Sequence, residues 1–494
     1  MTVNDAPGRD HDLSRMTYEH PHDYIEETPI WPDGTSLDTP VLTGMQWRIW
    51  WLASAGKFFE GMVVFMTGLA LPLIGREFNL TAIEHGLVAS AVLFGVLIGA
   101  TALGGLADHY GRRAMFIAEM ALFILFLLVL AVSPNLSVTL LALFGIGTAL
   151  GCDYPTAHMV ISESIPARSR GRMVLGAFSF QAIGAISGCG IAVLTLIWFP
   201  ELNAWRWMYL VAVIPALLVF LGRFTVPESA VWLMVKGRVQ EAEKALLHLL
   251  RRDPQYPSSV VLKTLMEGTA REREGVSWTK LFTDKTTRRM TIFASVPWFL
   301  QDLGTYGIGI FTPVVLASTL GSERRNAVSV SDLVYNDLLA AKGSAAIDML
   351  LLVGILLAVL LTDRIGRVRL QVFGFIGCAA GLAIAASSSF AGGGWDVVLV
   401  FAGFMLFNLM TNLGPNAQTY LIAGEVFPAS CRATGAGFAA SFAKLGAVST
   451  AFLFPILLAD IGTVALLSGL VVTSLLGAVV TWMFRIETRG RRPD

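Results

Sequence analysis

Gly104-Gly105-Leu106-Ala107-Asp108-His109-Tyr110-Gly111-Arg112-Arg113 closes one long apolar run, and Leu361-Thr362-Asp363-Arg364-Ile365-Gly366-Arg367 closes another far downstream. Both are Asp-x-x-Gly-Arg turns, in which the glycine can take a positive φ and the acid can cap the next helix or pair with a base. A second echo follows each. Glu163-Ser-Ile-Pro166-Ala-Arg-Ser-Arg170 and Glu425-Val-Phe-Pro428-Ala-Ser-Cys-Arg432 share the pattern Glu-x-x-Pro-Ala-x-x-Arg. Two signatures repeated in the same order make the chain a duplication.

Around these turns the chain is apolar. Hydrophobic residues make up 54% of the 494 residues and charged residues 15%, against roughly 25% charged in soluble domains. Apolar stretches lie at about 50–74, 85–107, 114–132, 137–161, 173–199, 206–224, 290–317, 343–362, 368–388, 397–418, 433–457 and 461–484. Most are close to the 20 or so residues that cross a bilayer core. The expected fold is an all-α membrane protein with twelve transmembrane helices in two pseudo-symmetric halves, 46–224 and 290–484. A polar N-terminal segment (1–45), a linker (225–289) with a helical pattern at Val239–Leu250 and a short tail (485–494) complete the chain. The N-terminal segment has no apolar run and reads as neither a signal peptide nor a span. Arg112/Arg113, Arg364/Arg367/Arg369, Arg432 and the arginines of the tail follow even-numbered spans, so both termini and the linker are expected on the cytoplasmic side.

Lys+Arg and Asp+Glu balance at 36 each, which gives no footprint for nucleic acid. The four cysteines are scattered, with no metal or redox pairing. No phosphate-cradling Gly-x-x-x-x-Gly-Lys-[Ser/Thr] occurs, and no nucleophile–base pair suggests an enzyme. No cofactor or metal is expected.

A charged side chain at the centre of a span costs about 3 kcal/mol and needs a reason. Span one holds Lys57 and Glu60, spaced to pair on one face. Span four holds Asp153-Tyr154-Pro155, and span five Gln181. Trp298, Asp302 and Tyr306 recur every four residues in span seven and so form one stripe. Span ten adds Asn416 and span eleven Lys444. Tyr154 and Asn416 each precede their repeat's glutamate by nine residues, as expected of a site at the interface of two repeats.

These motifs identify the chain as resembling the major facilitator superfamily over about residues 46–484. Pro227-Glu228-Ser229 through Glu241-Ala242 resembles the motif after helix six in its sugar- and phosphate-porter branches. Gly151-Cys152-Asp153-Tyr154-Pro155 is similar to the signature of proton-coupled inorganic phosphate symporters. That resemblance implies a substrate site of Tyr154, Gln181, Trp298, Asp302, Tyr306, Asn416 and Lys444. It implies proton coupling through Glu60, Asp153 and Glu119, and gate motifs at Asp108, Gly111, Arg112, Arg113, Glu163, Arg170, Asp363, Arg367, Glu425 and Arg432. Two departures stand out: Val63 replaces a second acid in span one, and Cys152 replaces a glycine. The resulting expectation is a plasma-membrane symporter acting as a monomer, with protons and inorganic phosphate as ligands. A small organic acid, a sugar, or a non-transporting sensor on the same fold are the alternatives.

Overall fold

The computed structural model describes residues 17–18, 20–27, 42–103, 106–251, 260–262, 279–320, 330–392, 394–428 and 431–487. A two-residue strand β1 (Thr17–Tyr18) and helix α1 (Pro21–Glu26) precede the spans. The first half comprises α2 (Gly44–Phe78), α3 (Ala82–Ile98), α4 (Leu106–Tyr110), α5 (Arg112–Ala131), α6 (Leu136–Ser164), α7 (Ala167–Trp198), α8 (Ala204–Val211) and α9 (Val213–Arg223). The linker holds α10 (Ala230–Val235), α11 (Val239–Leu250), strand β2 (Val261–Leu262) and α12 (Lys280–Thr283). The second half comprises α13 (Lys285–Leu320), α14 (Val330–Ile365), α15 (Arg367–Ser387), α16 (Trp395–Leu413), α17 (Pro415–Glu425) and α18 (Arg432–Phe484).

Eleven helices among the described residues are long and apolar enough to cross a membrane. The count differs from twelve because the last two expected spans run together as α18, with a break at Gly462, where φ is 77° and ψ 172°. Span six is divided at Ala212 into α8 and α9, and span ten breaks at Gly414 (φ −110°, ψ −100°) ahead of Pro415, whose ring cannot continue the ladder. The architecture is the twelve-helix fold of the major facilitator superfamily, with an integral, multi-pass chain.

The two Asp-x-x-Gly-Arg turns are built alike. Gly111 and Gly366 stand before α5 and α15 at φ 107° and 99°, a conformation open to glycine and costly for other residues. The halves meet widely on the side away from the linker: a Cβ added to Gly68 of α2 would lie 2.1 Å from the Ile310 carbonyl of α13. Such close backbone approach is how membrane helices associate where no hydrophobic force separates helix from lipid.

The N-terminal segment is packed onto the linker face. β1 pairs in parallel with β2, Thr17 opposite Val261 and Tyr18 opposite Leu262. Tyr24 and Ile25 of α1 are buried among Val226, Leu233, Leu246 and Leu249 from the linker, Ile161 from α6 and Ile165 just after it. The Glu26 carboxylate accepts from Ala167 N at 2.6 Å, capping α7, which begins after Pro166 without a side-chain cap of its own.

Candidate functional site

Lys57, Glu60, Gln181, Trp298, Asp302, Tyr306, Asn416 and Lys444 line one narrow central cavity of about 30 Å³. The sequence pattern explains why they meet. Trp298, Asp302 and Tyr306 are stacked by the α-helical repeat on the face of α13 turned to the cavity. Lys57 and Glu60 lie one turn apart on α2, Gln181 faces them from α7, Asn416 stands in the first turn of α17, and Lys444 lies on α18.

An ionic network joins the two halves. Lys57 Nζ pairs with Glu60 Oε2 at 2.5 Å. On the other Glu60 oxygen the Tyr306 hydroxyl donates at 2.9 Å, with Lys444 Nζ at 3.5 Å. Lys444 Nζ donates to the Tyr306 oxygen at 2.6 Å and lies 3.5 Å from Asp302 Oδ2. Gln181 Nε2 donates to the same phenol at 3.3 Å. Asp302 is 2% exposed and Glu60 5%, so two acids and two bases balance in a site shielded from water. Trp298 stands edge-on to Tyr420, which stacks on Phe178 with centroids 5.1 Å apart. Because Phe178 belongs to α7 and Tyr420 to α17, this aromatic contact bridges the halves on the linker side of the cavity.

Of the remaining expected site residues, Asp153 lies on the wall of an adjoining cavity shared with Lys57, Glu60 and His158. Its carboxylate pairs at 2.5 Å with Arg223, a fully buried guanidinium that also donates to Phe116 O at 2.6 Å. Glu119 is placed behind this pair, accepting from Thr156 at 2.8 Å, with Oε2 buried and unpartnered. The side chains of Tyr154 and Arg432 lie outside those described.

The gate motifs form two matched clusters, one in each half. Arg112 Nη2 pairs with Asp108 at 2.8 Å and Glu163 at 3.2 Å. Arg367 pairs with Asp363 and Glu425, both at 3.1 Å. Ser229 donates to Glu163, and Arg170 donates to Ile165 O. Glu228 Oε1 accepts from Arg112 N at 2.9 Å and Arg113 N at 3.0 Å, and Arg113 Nη2 also donates to Phe224 O. These pairs tie helices together within a half; the contacts between halves are made elsewhere.

Several residues that the sequence reading passed over belong to these networks. Gln301, 3% exposed, donates to Asn416 Oδ1 at 3.2 Å. Arg223 closes the Asp153 pair, and Asp348 of α14 is 3% exposed within an apolar span. The signal that found Asp302, an acid inside an apolar run, also marks Asp348. Arg223 sat at a span's end, where an arginine reads as an interfacial residue.

The sugar (and other) transporter family profile matches residues 49–493. The Escherichia coli inner membrane metabolite transport protein YgcS is 32% identical over 92% of this chain and 94% of its own length. The Acinetobacter baylyi niacin transporter NiaP is 28% identical over 81% of this chain and 84% of its own. Among solved structures, the E. coli xylose transporter XylE superposes with a TM-score of 0.70 at 20% identity, covering 91% of this chain and 100% of that one. These relatives are named for a metabolite, niacin and xylose, and none of them supports the narrower resemblance to phosphate symporters. A match over almost the whole length, on a duplicated twelve-helix fold with a polar cavity between its halves, places the chain in the sugar (and other) transporter family of the major facilitator superfamily, whose members are transporters and not enzymes.

Proposed function

We propose that the protein imports a small organic carboxylate by proton symport, alternating access around the central cavity. The observation that carries this reading is Lys444, whose ammonium is shared among Tyr306, Asp302 and, across the halves, Glu60. While both acids are ionised they occupy the lysine. Protonating them releases an ammonium that must be re-paired in a buried site, and an incoming carboxylate does that. Binding of the anion and of protons thereby favour each other. The aromatic walls, Trp298, Phe178 and Tyr306, suit a planar apolar body behind the carboxylate.

A phosphate ion is the poorer fit, because the apolar faces of Trp298 and Phe178 offer it no partner. The named relative that transports niacin, an aromatic acid, supports the carboxylate reading. A sugar would use the amides of Gln181 and Asn416 and leave Lys444 without a role. Site and gates lie within one chain, which supports a working monomer. The arginine-rich linker face is assigned to the cytoplasm and the membrane to the plasma membrane.

The test is uptake by the purified protein in liposomes under an imposed pH gradient, with radiolabelled nicotinate and benzoate beside xylose, glucose and phosphate. Gradient-driven accumulation of a carboxylate is expected. Accumulation of a sugar alone would move the substrate class, and binding of any solute without accumulation would make the protein a sensor.

A further inference from the structure

We infer that Asp348, buried where α14 meets the other half, is a further proton-carrying residue of the transport cycle, joined to the substrate cavity by a column of asparagines. Asp348 belongs to the second half, yet the Sγ of Cys189, on α7 of the first half, lies 3.4 Å from its Oδ2. Its Oδ1 accepts from Asn408 Nδ2 of α16 at 2.9 Å. From α7, then, it faces a thiol, and from α16 a neutral amide. The other helices packed on α14, namely α2, α13, α15 and α17, bring it no charged or titratable partner among the described residues.

A thiol and an amide are neutral donors, and they do not return what an ionised carboxylate loses on leaving water. With the halves apposed as here, Asp348 therefore carries its proton. Alternating access separates α7 from α14 and opens the carboxyl to water. Its O–H bond then breaks, the proton passes to water, and the electron pair stays on the carboxylate.

The link to the substrate is geometric. Asn408, Asn412 and Asn416 are spaced four apart along α16 and α17, and all three are buried. Asn408 holds Asp348, Asn412 Nδ2 donates to Leu351 O of α14 at 2.8 Å, and Asn416 Nδ2 donates to Asn412 Oδ1 at 2.6 Å. Asn416 lines the cavity. The backbone break at Gly414 falls between the second and third asparagine, so a movement of Asn416 on substrate binding bears on the two amides that position α14 around Asp348.

This inference rests on proton symport, so its test has one arm that does not. In the first, infrared spectra of the substrate-free, full-length protein are compared between wild type and Asp348→Asn. A protonated-carboxyl C=O band lost in the variant and restored in Asp348→Glu is expected. Cys189→Ala, which keeps the carboxyl, should shift that band, and this covers the case in which Asp348→Asn fails to fold. In the second arm, the proton-to-solute ratio for [14C]nicotinate in liposomes should fall by one in Asp348→Asn, while exchange without a gradient continues. A spectrum unchanged in Asp348→Asn, or in Cys189→Ala where the former does not fold, overturns the inference, as does an unchanged ratio. Failure of the wild type to accumulate any carboxylate would sink the symport reading alone, and the infrared arm would still decide on Asp348.

Discussion

The Tyr306 hydroxyl, from the second half, donates to Glu60 of the first at 2.9 Å, within the same network that holds Lys444. One phenol thus connects an acid and a base on opposite sides of the repeat interface. Substrate binding must rearrange this junction. Glu60→Gln removes a carboxylate that can take up a proton but keeps an acceptor for the phenol. Counterflow exchange in liposomes is expected to persist while accumulation driven by a pH gradient is lost. Uphill uptake at the wild-type level would remove Glu60 from the coupling route.

Lys444 is expected to carry the affinity for the anion. Lys444→Ala deletes a charge-assisted hydrogen bond, which is worth about 1.5–3 kcal/mol. That corresponds to a rise in Kd of roughly ten- to one-hundred-and-fifty-fold. Equilibrium binding of labelled nicotinate to the detergent-purified variant measures it. Unaltered carboxylate binding would move a neutral solute to first place.

The central site was legible in the sequence because its chemistry is local. The stripe Trp298–Asp302–Tyr306 follows from helical spacing alone, and Lys57, Glu60 and Lys444 announce themselves as charges within apolar runs. What could not be read was pairing over long chain distances. Arg223 finds Asp153, Cys189 finds Asp348, and Glu228 finds the start of α5 only through tertiary packing. The two final spans were legible as separate helices from the hydropathy dip between them, and the backbone breaks there, at Gly462. Tyr24 and Ile25, in a polar segment, gave no sign of being buried under the linker.

Asp153 and Arg223 form a closed pair in the core of the first half, with Arg223 fully buried. Removing one partner of such a pair costs about 3–5 kcal/mol, whereas exchanging both for apolar groups is often neutral. Asp153→Asn is therefore expected to lower the thermal midpoint of the purified protein sharply. A double variant, Asp153→Leu with Arg223→Met, should recover most of the loss. If the single variant melts like wild type, the pair contributes nothing to the fold.

His22 on α1 is held below its ordinary value of 6.5, first by burial and then by the Arg170 guanidinium. A base whose docked form resists protonation contributes fully above 6.5, and that contribution fades as pH falls below it. Docking of residues 20–27 on the linker face is thus expected to loosen on acidification, read as faster hydrogen exchange there. His22→Gln should flatten the pH dependence. A segment equally protected at pH 5 and 8 would remove the effect.

Glu228 is expected to matter more at the gate than Asp108. The Asp108 side chain is 68% exposed, and exposed ion pairs are worth about 0–1 kcal/mol. Helix α5, by contrast, starts after Gly111, which has no side chain to cap it. Glu228 supplies that cap from the start of the linker, accepting from Arg112 N and Arg113 N while also holding Ser229 N at 2.9 Å. A carboxylate there also meets the positive end of the helix dipole. Glu228→Ala should cost about 0.5–2 kcal/mol in stability, the range for a lost N-cap. It should also slow transport by loosening the linker from α5, while Asp108→Asn changes both less. Thermal midpoints and initial uptake rates of the two variants, measured side by side, decide the order, and an Asp108 effect as large as that of Glu228 would reverse it.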